Sequence, residues 1–388
     1  MIQLIKKILR PLKRKIETNF EYWLASKQPL VIYNINKNVL RKQKKILISY
    51  SCGTFYRNFS KNIRHSNIIE INQIIAYFIA KDFILDIIDC TNQNAEKLLN
   101  IDEYDYVLGF GEPFKIVSTL SSKIVSILYL TENIPSIAVR KFEERKQYFN
   151  QRTGKRNYGI SRVNGYFTME QFRLADFCIS LNRNASYKDI PFYYIVPAGL
   201  INLNFSYEDK NFDKAKTNFI WFGSAGAIHK GLDILIDVFK LNSNLTLHVC
   251  GLDKHEKSIL GNFPSNVVDY GHVDVGSERY IELINTCAFT ILPSCSEGMS
   301  TSIMTGMLHG LIPVVTKECN IDVSGQGYFL DDFKVEYINN MIKKIASSSS
   351  VNLLELSRNS YEYSRNNYTL QAFTIHIEAI LDQIFIRK

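Results

Sequence analysis

The sequence lacks the features that would assign it at once to a membrane, secreted or zinc-binding class. No uninterrupted apolar run among its 388 residues approaches the roughly 20 residues that a membrane-spanning helix needs. Its seven cysteines are scattered and include no C-x-x-C pair, which argues against a disulfide framework or a structural zinc site. Lys6 and Lys7 interrupt the opening apolar residues too early for a secretory signal. We therefore expect a cytoplasmic protein.

Two nucleotide-binding motifs are missing as well. The chain contains no G-x-G-x-x-G, which weakens a nicotinamide-enzyme interpretation, and no G-x-x-x-x-G-K, which excludes a Walker loop. The content of 46% hydrophobic and 22% charged residues is ordinary for a globular protein. The length is sufficient for two domains with separate cores.

Positive charge is concentrated at one end of the chain. Residues 1–65 hold fifteen Lys or Arg against Glu17 and Glu21, a net charge of +13, so the remaining 323 residues carry a net charge of −5. A basic folded body would indicate nucleic-acid binding, but basicity confined to one end indicates where a protein is located. We expect no nucleic-acid partner.

The first seventeen residues have the pattern of a basic amphipathic helix within an N-terminal segment of residues 1–40. Apolar residues recur every three or four positions from Ile2 to Ile16, and six Lys or Arg occupy the other face. This pattern, interrupted at Pro11, predicts a helix that lies on an anionic membrane surface. The alternative is a helix packed on its own protein with a solvated basic face. The membrane interpretation predicts a peripheral protein on the inner face of the cytoplasmic membrane.

Short apolar runs alternate with helical patterns twice along the chain, which predicts an α/β protein with two parallel sheets. The first series occupies residues 41–203 and the second residues 218–368. The polar, non-periodic residues 204–217 are the predicted linker, and residues 369–388 form a helix that could pack back across it. Two consecutive α/β units place a cleft between them at the carboxyl ends of both sheets.

Two strand-to-helix turns are candidates for chemistry. The turn from Trp221 to Gly231 has two further glycines and Lys230, which would suit a phosphate through backbone N–H groups and a full positive charge. The alternative is a tight turn with an exposed lysine. The turn from Pro293 to Ser302 places Glu297 at a helix entrance, where it could accept hydrogen bonds from ligand hydroxyls. Alternatively, it is a charge partner for its own helix, worth about 0.3–1 kcal/mol.

Taken together, the two turns resemble the nucleotide-sugar domain of retaining glycosyltransferases of the family 4 type, which have the GT-B fold of two Rossmann-like domains facing across a cleft. The resemblance runs from Phe219 to about Phe373. Its motifs, in order, are His229-Lys-Gly231, Val249-Cys-Gly251, Gly271-His-Val273, Leu292-Pro-Ser-Cys-Ser-Glu-Gly298 and His309-Gly-Leu-Ile-Pro-Val-Val315. The first half resembles the family weakly. Residues 64–67 and the basic run 140–156 look like a subset that acts on bacterial surface polysaccharides.

The resemblance implies that Lys230 contacts the donor diphosphate and Glu297 the donor sugar, and these two are the predicted catalytic residues. The full implied donor set is Gly223, Ser224, Lys230, Gly251, His272, Val273, Glu297, Gly298, Met299, Ser300 and Thr305. Two positions depart from the family, since Ser224 replaces a frequent Arg and Thr305 replaces a Glu that holds the ribose. A neutral hydrogen bond is worth roughly 0.5–1.5 kcal/mol net against about 1.5–3 for a charged one, so weaker donor binding is expected.

On the acceptor side the candidates are Gly53, His65 and Glu132, each after a predicted strand or at a helix start. For each of them a loop or capping role is an equal alternative, and His309 is interpreted as a structural residue at a helix end. The resemblance implies a hexosyltransferase that needs no metal or resident cofactor, consistent with the absence of any Asp-x-Asp. Its substrates would be a nucleotide sugar and a glycan or lipid-linked oligosaccharide of lipopolysaccharide, O-antigen or capsule. The alternatives are a catalytically degenerate subunit that binds a glycan or partner enzyme, and a nucleotide-sugar epimerase.

Overall fold

The computed structural model of the protein describes residues 31–51, 66–156, 158, 166–207 and 210–386. The predicted amphipathic helix of residues 1–17 and the candidates Gly53 and His65 lie outside the described residues.

The described residues form two α/β domains. Their strands are β1 (Val31–Ile35), β2 (Lys45–Tyr50), β3 (Ile84–Asp89), β4 (Tyr106–Gly109), β5 (Val125–Leu130), β6 (Phe177–Ser180), β7 (Phe192–Tyr194), β8 (Asn218–Phe222), β9 (Thr246–Cys250), β10 (Val267–Asp269), β11 (Phe289–Leu292), β12 (Ile312–Thr316) and β13 (Tyr328–Leu330). Their helices are α1 (Ser66–Ala80), α2 (Ala95–Leu98), α3 (Glu112–Leu120), α4 (Pro135–Thr153), α5 (Met169–Leu174), α6 (Phe212–Ala215), α7 (Leu232–Lys240), α8 (Lys254–Leu260), α9 (Glu278–Thr286), α10 (Thr301–Met307), α11 (Val335–Ala346), α12 (Ser350–Asn367) and α13 (Leu370–Ile386).

The first sheet has the strand order β1-β3-β2-β4-β5-β6-β7, and its strands are parallel except for the edge strand β1. This strand falls in the N-terminal segment predicted for residues 1–40, so the first domain includes Val31 instead of beginning at residue 41. Its pattern was not visible in the sequence because only Val31 of its five residues is buried. The backbone N–H of Asn34 donates to Asp86 Oδ1 at 2.6 Å, which ties this edge to β3.

The second sheet is parallel throughout, with the order β10-β9-β8-β11-β12-β13. The predicted α/β class with two Rossmann-like domains is therefore confirmed. The strand order reverses between β8 and β11 in this sheet and between β2 and β4 in the first. In doubly wound sheets, ligands bind outside the carboxyl ends of the strands at such reversals.

The segment that leads from β7 to β8 is partly structured. Within the predicted linker of residues 204–217, Phe212 and Ala215 are buried and belong to the short helix α6. Buried apolar residues at a spacing of three give this stretch a packed side that its polar composition concealed.

The last helix, α13, packs on α1 of the first domain. Asp382 accepts hydrogen bonds from the Tyr77 hydroxyl and the Lys81 ammonium group, both at 2.7 Å. The Phe385 ring lies against the rings of Tyr77, Phe78, Phe83 and Tyr106. The chain therefore returns to its first domain after completing the second. None of the helices in the described part of the chain is long and apolar enough to cross a membrane.

Candidate functional site

A cavity of about 680 Å³ lies between the two domains. Its wall includes Tyr50 and Phe110 at the ends of β2 and β4, and Phe222 at the end of β8, so it opens at the strand-order reversals of both sheets. All eleven donor-side candidates and Glu132 line it. The cleft expected from two consecutive α/β units thus brings together residues that are far apart in the sequence.

Lys230 and Glu297 form an ion pair in the wall of this cavity. The Lys230 Nζ atom donates to Glu297 Oε1 at 2.7 Å, and the Ser294 hydroxyl donates to the same oxygen at 2.8 Å. Both charged residues are buried, although they are 67 positions apart. The loops that carry them follow β8 and β11, which are neighbouring strands, and this neighbourhood makes the contact possible. Burying an ion pair costs desolvation free energy, and such pairs in clefts are candidates for function.

The ends of β8 and β9 approach each other closely below the predicted base pocket. The Gly223 N–H donates to the Cys250 carbonyl at 2.9 Å, and a Cβ on Gly251 would lie 1.9 Å from the Gly223 carbonyl oxygen. Gly251 also has a positive φ of 90°, so only glycine fits there without strain. The predicted base-pocket residues His272, exposed, and Val273, buried, line the cavity on this side.

The glycine turn differs from the expected phosphate cradle in one respect. The carboxylate of Glu256, itself buried, accepts the backbone N–H groups of Gly226 at 3.0 Å and Ala227 at 2.7 Å. These two amides therefore bind an internal anion and are not directed at a ligand. Glu256 comes 30 residues later in α8, and nothing in the sequence pattern connects it with this turn. Lys230 remains the charged group of the turn that faces the cavity.

The Glu297 loop touches the first domain directly. A Cβ on Gly298 would lie 2.2 Å from the Thr131 carbonyl oxygen, so the absence of a side chain permits this contact. The Asn133 amide donates to the Ser296 hydroxyl at 3.2 Å. Glu132, the predicted acceptor-side carboxylate, therefore lies on a loop that meets the predicted donor-sugar loop.

Three other residues of the implied donor set, Ser300, Thr305 and Met299, have hydrogen-bond partners within the protein. The Ser300 N–H, expected near the donor, donates to the Cys319 carbonyl at 3.0 Å. Thr305 donates its hydroxyl hydrogen to the Thr301 carbonyl at 2.7 Å and accepts the Leu200 N–H at 3.1 Å. Because a hydroxyl has one hydrogen, Thr305 can only accept from a ribose. Met299 lines the cavity, and its sulfur accepts from the Tyr194 hydroxyl at 3.7 Å.

Glu70 is a cavity residue whose role the sequence did not indicate. Glu70 is 3% exposed, and its carboxyl group accepts the Ala198 N–H at 3.0 Å. Burial raises the pKa of Glu70 to about 7. The sequence feature that points to Glu70 is its position one residue before Ile71 on the buried face of α1, where an acidic residue is uncommon.

His309 has the structural role expected of it. Its Nδ1 lies 2.6 Å from the Thr305 carbonyl oxygen, and its Nε2 accepts the Asn202 N–H at 3.0 Å. These partners assign the neutral tautomer with the hydrogen on Nδ1. Burial lowers the pKa of His309 to about 4, in agreement with that assignment. The residue joins the segment between the domains to α10.

The residues that the structure describes include no group of three or more His, Cys, Asp or Glu arranged to hold a metal ion.

Residues 216–346 match the family model described as "Glycosyl transferases group 1", a range that contains both Lys230 and Glu297. No curated protein matches the chain significantly. The family-model match over residues 216–346 confirms the prediction of a glycosyltransferase for the second domain.

Solved structures of the same fold cover most of the chain. Sucrose-phosphate synthase from Thermosynechococcus elongatus aligns with a TM-score of 0.62 and 12% identity over 89% of this chain and 100% of that one. Anabaena HepE in complex with UDP and glucose aligns with a TM-score of 0.58 and 12% identity over 88% and 100%. WaaG, a glycosyltransferase involved in lipopolysaccharide biosynthesis, aligns with a TM-score of 0.55 and 15% identity over 87% and 99%. The predicted GT-B fold is confirmed.

Proposed function

We propose that the protein transfers a hexose from a nucleotide sugar to a glycan acceptor, with retention of configuration and without a metal ion. The buried Lys230–Glu297 pair carries this proposal, because it lies in a cavity shared by both domains and within the matched glycosyltransferase domain.

The proposed chemistry requires mainly that charge be stabilised. As the nucleoside diphosphate leaves, its phosphates gain negative charge and the sugar becomes oxocarbenium-like. Lys230 supplies a positive charge for the diphosphate, and Glu297 accepts hydrogen bonds from hydroxyls of the donor sugar. Burial of both groups strengthens these interactions, since water screens them little. The enclosing domains exclude water that would hydrolyse the donor.

The first-domain wall of the cavity has the composition that a glycan acceptor would require. The carboxyl groups of Glu70 and Glu132 can accept hydrogen bonds from sugar hydroxyls. The rings of Tyr50 and Phe110, with centroids 5.2 Å apart, provide an apolar surface for a sugar face. We propose a lipid-linked acceptor in lipopolysaccharide, O-antigen or capsule synthesis, reached by a protein bound through residues 1–17 to the inner face of the cytoplasmic membrane. The WaaG-like fold supports this proposal.

A catalytically degenerate subunit that binds a glycan or a partner enzyme is the second candidate. It is favoured by Ser224 and Thr305, which lack the charges of the family pattern, and by the commitment of the Thr305 hydroxyl hydrogen to its own helix.

The test is to incubate the full chain with UDP-, GDP-, ADP- and CDP-linked sugars and a bacterial lipid-glycan extract. We expect one donor to release its nucleoside diphosphate and to transfer label to the extract. Isomerised donor without transfer would identify an epimerase. No release from any donor, together with measurable glycan binding, would favour the degenerate subunit.

A further inference from the structure

Helix α4 belongs to the first domain but packs one face onto the second. Lys141, Arg145, Tyr148 and Arg152 follow a spacing of four, three and four, which places them along one side of a helix. Each of the four contacts the second domain. Lys141 pairs with Glu318 at 3.0 Å, and Arg152 pairs with Asp233 and, at 3.0 Å, with Asp237. Arg145 donates to the Pro293 carbonyl at 2.8 Å, and the Tyr148 hydroxyl accepts the Val335 N–H at 2.9 Å.

Arg145 is the most deeply buried of these four, with 1% of its surface exposed. Its guanidinium donates to the Pro293 carbonyl and, at 3.5 Å, to the Ile228 carbonyl, and it covers the Phe333 ring at 4.8 Å. Its Nε has no hydrogen-bond partner among the described residues. Burying a full charge that is held mainly by carbonyl groups costs free energy, so this placement calls for a reason beyond stability.

The two carbonyls that Arg145 binds belong to the loops of the candidate site. Ile228 lies two residues before Lys230, and Pro293 lies four residues before Glu297. Arg145 therefore joins the two loops whose charged residues meet in the cavity wall.

His229 connects the same two loops from within the second domain. Its carbonyl accepts the Cys295 N–H at 2.9 Å, and its Nε2 contacts the Ser296 carbonyl. The Phe142 ring of α4 lies 5.5 Å from the His229 ring, next to the contact made by Arg145. Helix α4 of the first domain thus contacts the place where the Lys230 and Glu297 loops meet.

We propose that Arg145 is a positioning residue, which holds the Lys230 and Glu297 loops at the separation that the ion pair requires. Docking of α4 then completes the donor site from the opposite domain. Arg145 does not line the cavity that the described residues enclose, so it acts through Lys230 and Glu297 and contacts no substrate. This inference rests on the proposed role of Lys230 in binding the donor diphosphate.

Lysine should not replace Arg145 in this role. The guanidinium is a planar fork with five donors, and here it reaches two carbonyls while its face covers an aromatic ring. An ammonium group keeps the charge but not the fork. Arg140, on the exposed side of the same helix and paired with Glu144, provides a matched control.

The experiment uses full-length R145K, R145M, K230A and R140M. Binding of UDP, GDP, ADP and CDP is measured by calorimetry, and the tightest nucleotide is compared with its free nucleoside. We expect R145K and R145M to weaken nucleoside diphosphate binding about 10-fold or more, to leave nucleoside binding within about 2-fold, and R140M to resemble wild type. In the K230A background, R145M should add less than about 2-fold, because Arg145 acts through Lys230.

Equal losses from R145M with and without K230A would overturn the inference, as would wild-type binding in R145M. A crystal structure of the charge-conserving R145K decides the matter without a nucleotide. We expect the Lys230 Nζ to Glu297 Oε1 distance to exceed 4 Å, and a value near 2.7 Å would refute the positioning role. If wild type binds no nucleotide at all, the proposed function fails, and the R145K structure still decides whether Arg145 positions the pair.

Discussion

At the scale of single residues, Lys230 and Glu297, the proposed donor-binding pair, also affect stability, because each is the other's counter-charge in the buried cavity wall. We expect Glu297→Gln to lower transfer by about 100-fold or more and to destabilise the fold, since removing one partner of a buried ion pair costs up to about 3–5 kcal/mol. Urea unfolding and nucleoside diphosphate release measure the two effects.

The double variant Lys230→Met, Glu297→Gln is the control for this prediction. It removes both charges, so it should recover most of the lost stability while remaining inactive. Near-normal transfer by Glu297→Gln would contradict the assigned role of Glu297.

Glu70 should make stability depend on pH. Its folded-state pKa of about 7 lies above its ordinary value of 4.5, so between these pH values the folded state binds more protons than the unfolded state. The free energy of unfolding should therefore fall as pH rises from about 4.5 to 7, by on the order of 2–3 kcal/mol. Glu70→Gln should lack this fall, and urea unfolding at pH 5, 6, 7 and 8 would detect the difference.

His309 provides an internal reference for that comparison. Its pKa of about 4 lies below the ordinary 6.5, so its contribution is lost as pH falls from about 6.5 towards 4, and it is the same in both proteins. Parallel stability curves for wild type and Glu70→Gln would show that Glu70 is not the source.

At the scale of elements, the contact between residues 131–133 and 296–298 closes the cavity between the domains. Gly298→Ala would place a methyl group 2.2 Å from the Thr131 carbonyl oxygen. The loops that carry Thr131 and Gly298 would therefore have to separate. We expect the ratio of donor hydrolysis to transfer to rise about 10-fold, because water enters where the loops part. Parallel assays of released sugar and labelled acceptor measure this ratio.

Gly276→Ala is the matched control, because a Cβ at this exposed position meets only the Asp274 side chain at 3.5 Å. An unchanged ratio in Gly298→Ala would mean that this contact does not keep water out of the site.

The elements that sequence patterns revealed are those with a buried apolar face. Strand β8 is apolar from Phe219 to Phe222, and β11 is apolar except for Thr290, so both strands could be predicted from the sequence. The donor-side residues in the loops after these strands were implied by the family resemblance. Helix α12 has no apolar stripe in the sequence, because its buried side includes Ser357, Ser360 and Ser364. The Ser357 hydroxyl donates to the Gly310 carbonyl, and the Ser360 hydroxyl donates to the Leu311 carbonyl. Hydrophobic periodicity cannot detect a helix packed through serines.

Contacts between distant parts of the chain were beyond such reasoning. Glu256 fills the glycine turn from 30 residues away, and Arg145 reaches it from the other domain. No local pattern encodes either contact, since both depend on how separate helices pack. On the first-domain side of the cavity, Glu132 was a candidate from the sequence, whereas the only sequence signal for Glu70 is an acid on the apolar face of α1.

At the scale of the whole molecule, two helices bind the domains to each other. Helix α13 follows the second domain and packs on α1 of the first, while α4 belongs to the first domain and packs on the second. The two domains that enclose the cavity are therefore linked through α4 and α13. Substitutions at either of these helix contacts should alter the geometry of the site.

The uneven charge of the chain leads to a prediction about where the protein acts. Residues 1–17 contain six Lys or Arg, and each cation near an anionic surface contributes about 1 kcal/mol at low ionic strength. Deleting these residues should lower co-sedimentation with phosphatidylserine-containing vesicles by at least about 100-fold at low salt. The binding of wild type should itself weaken as salt rises, because counterions screen the attraction. A variant with the six cations changed to Gln separates the contribution of charge from that of the apolar face. If the deleted protein partitions like wild type, residues 1–17 are not a membrane-binding segment.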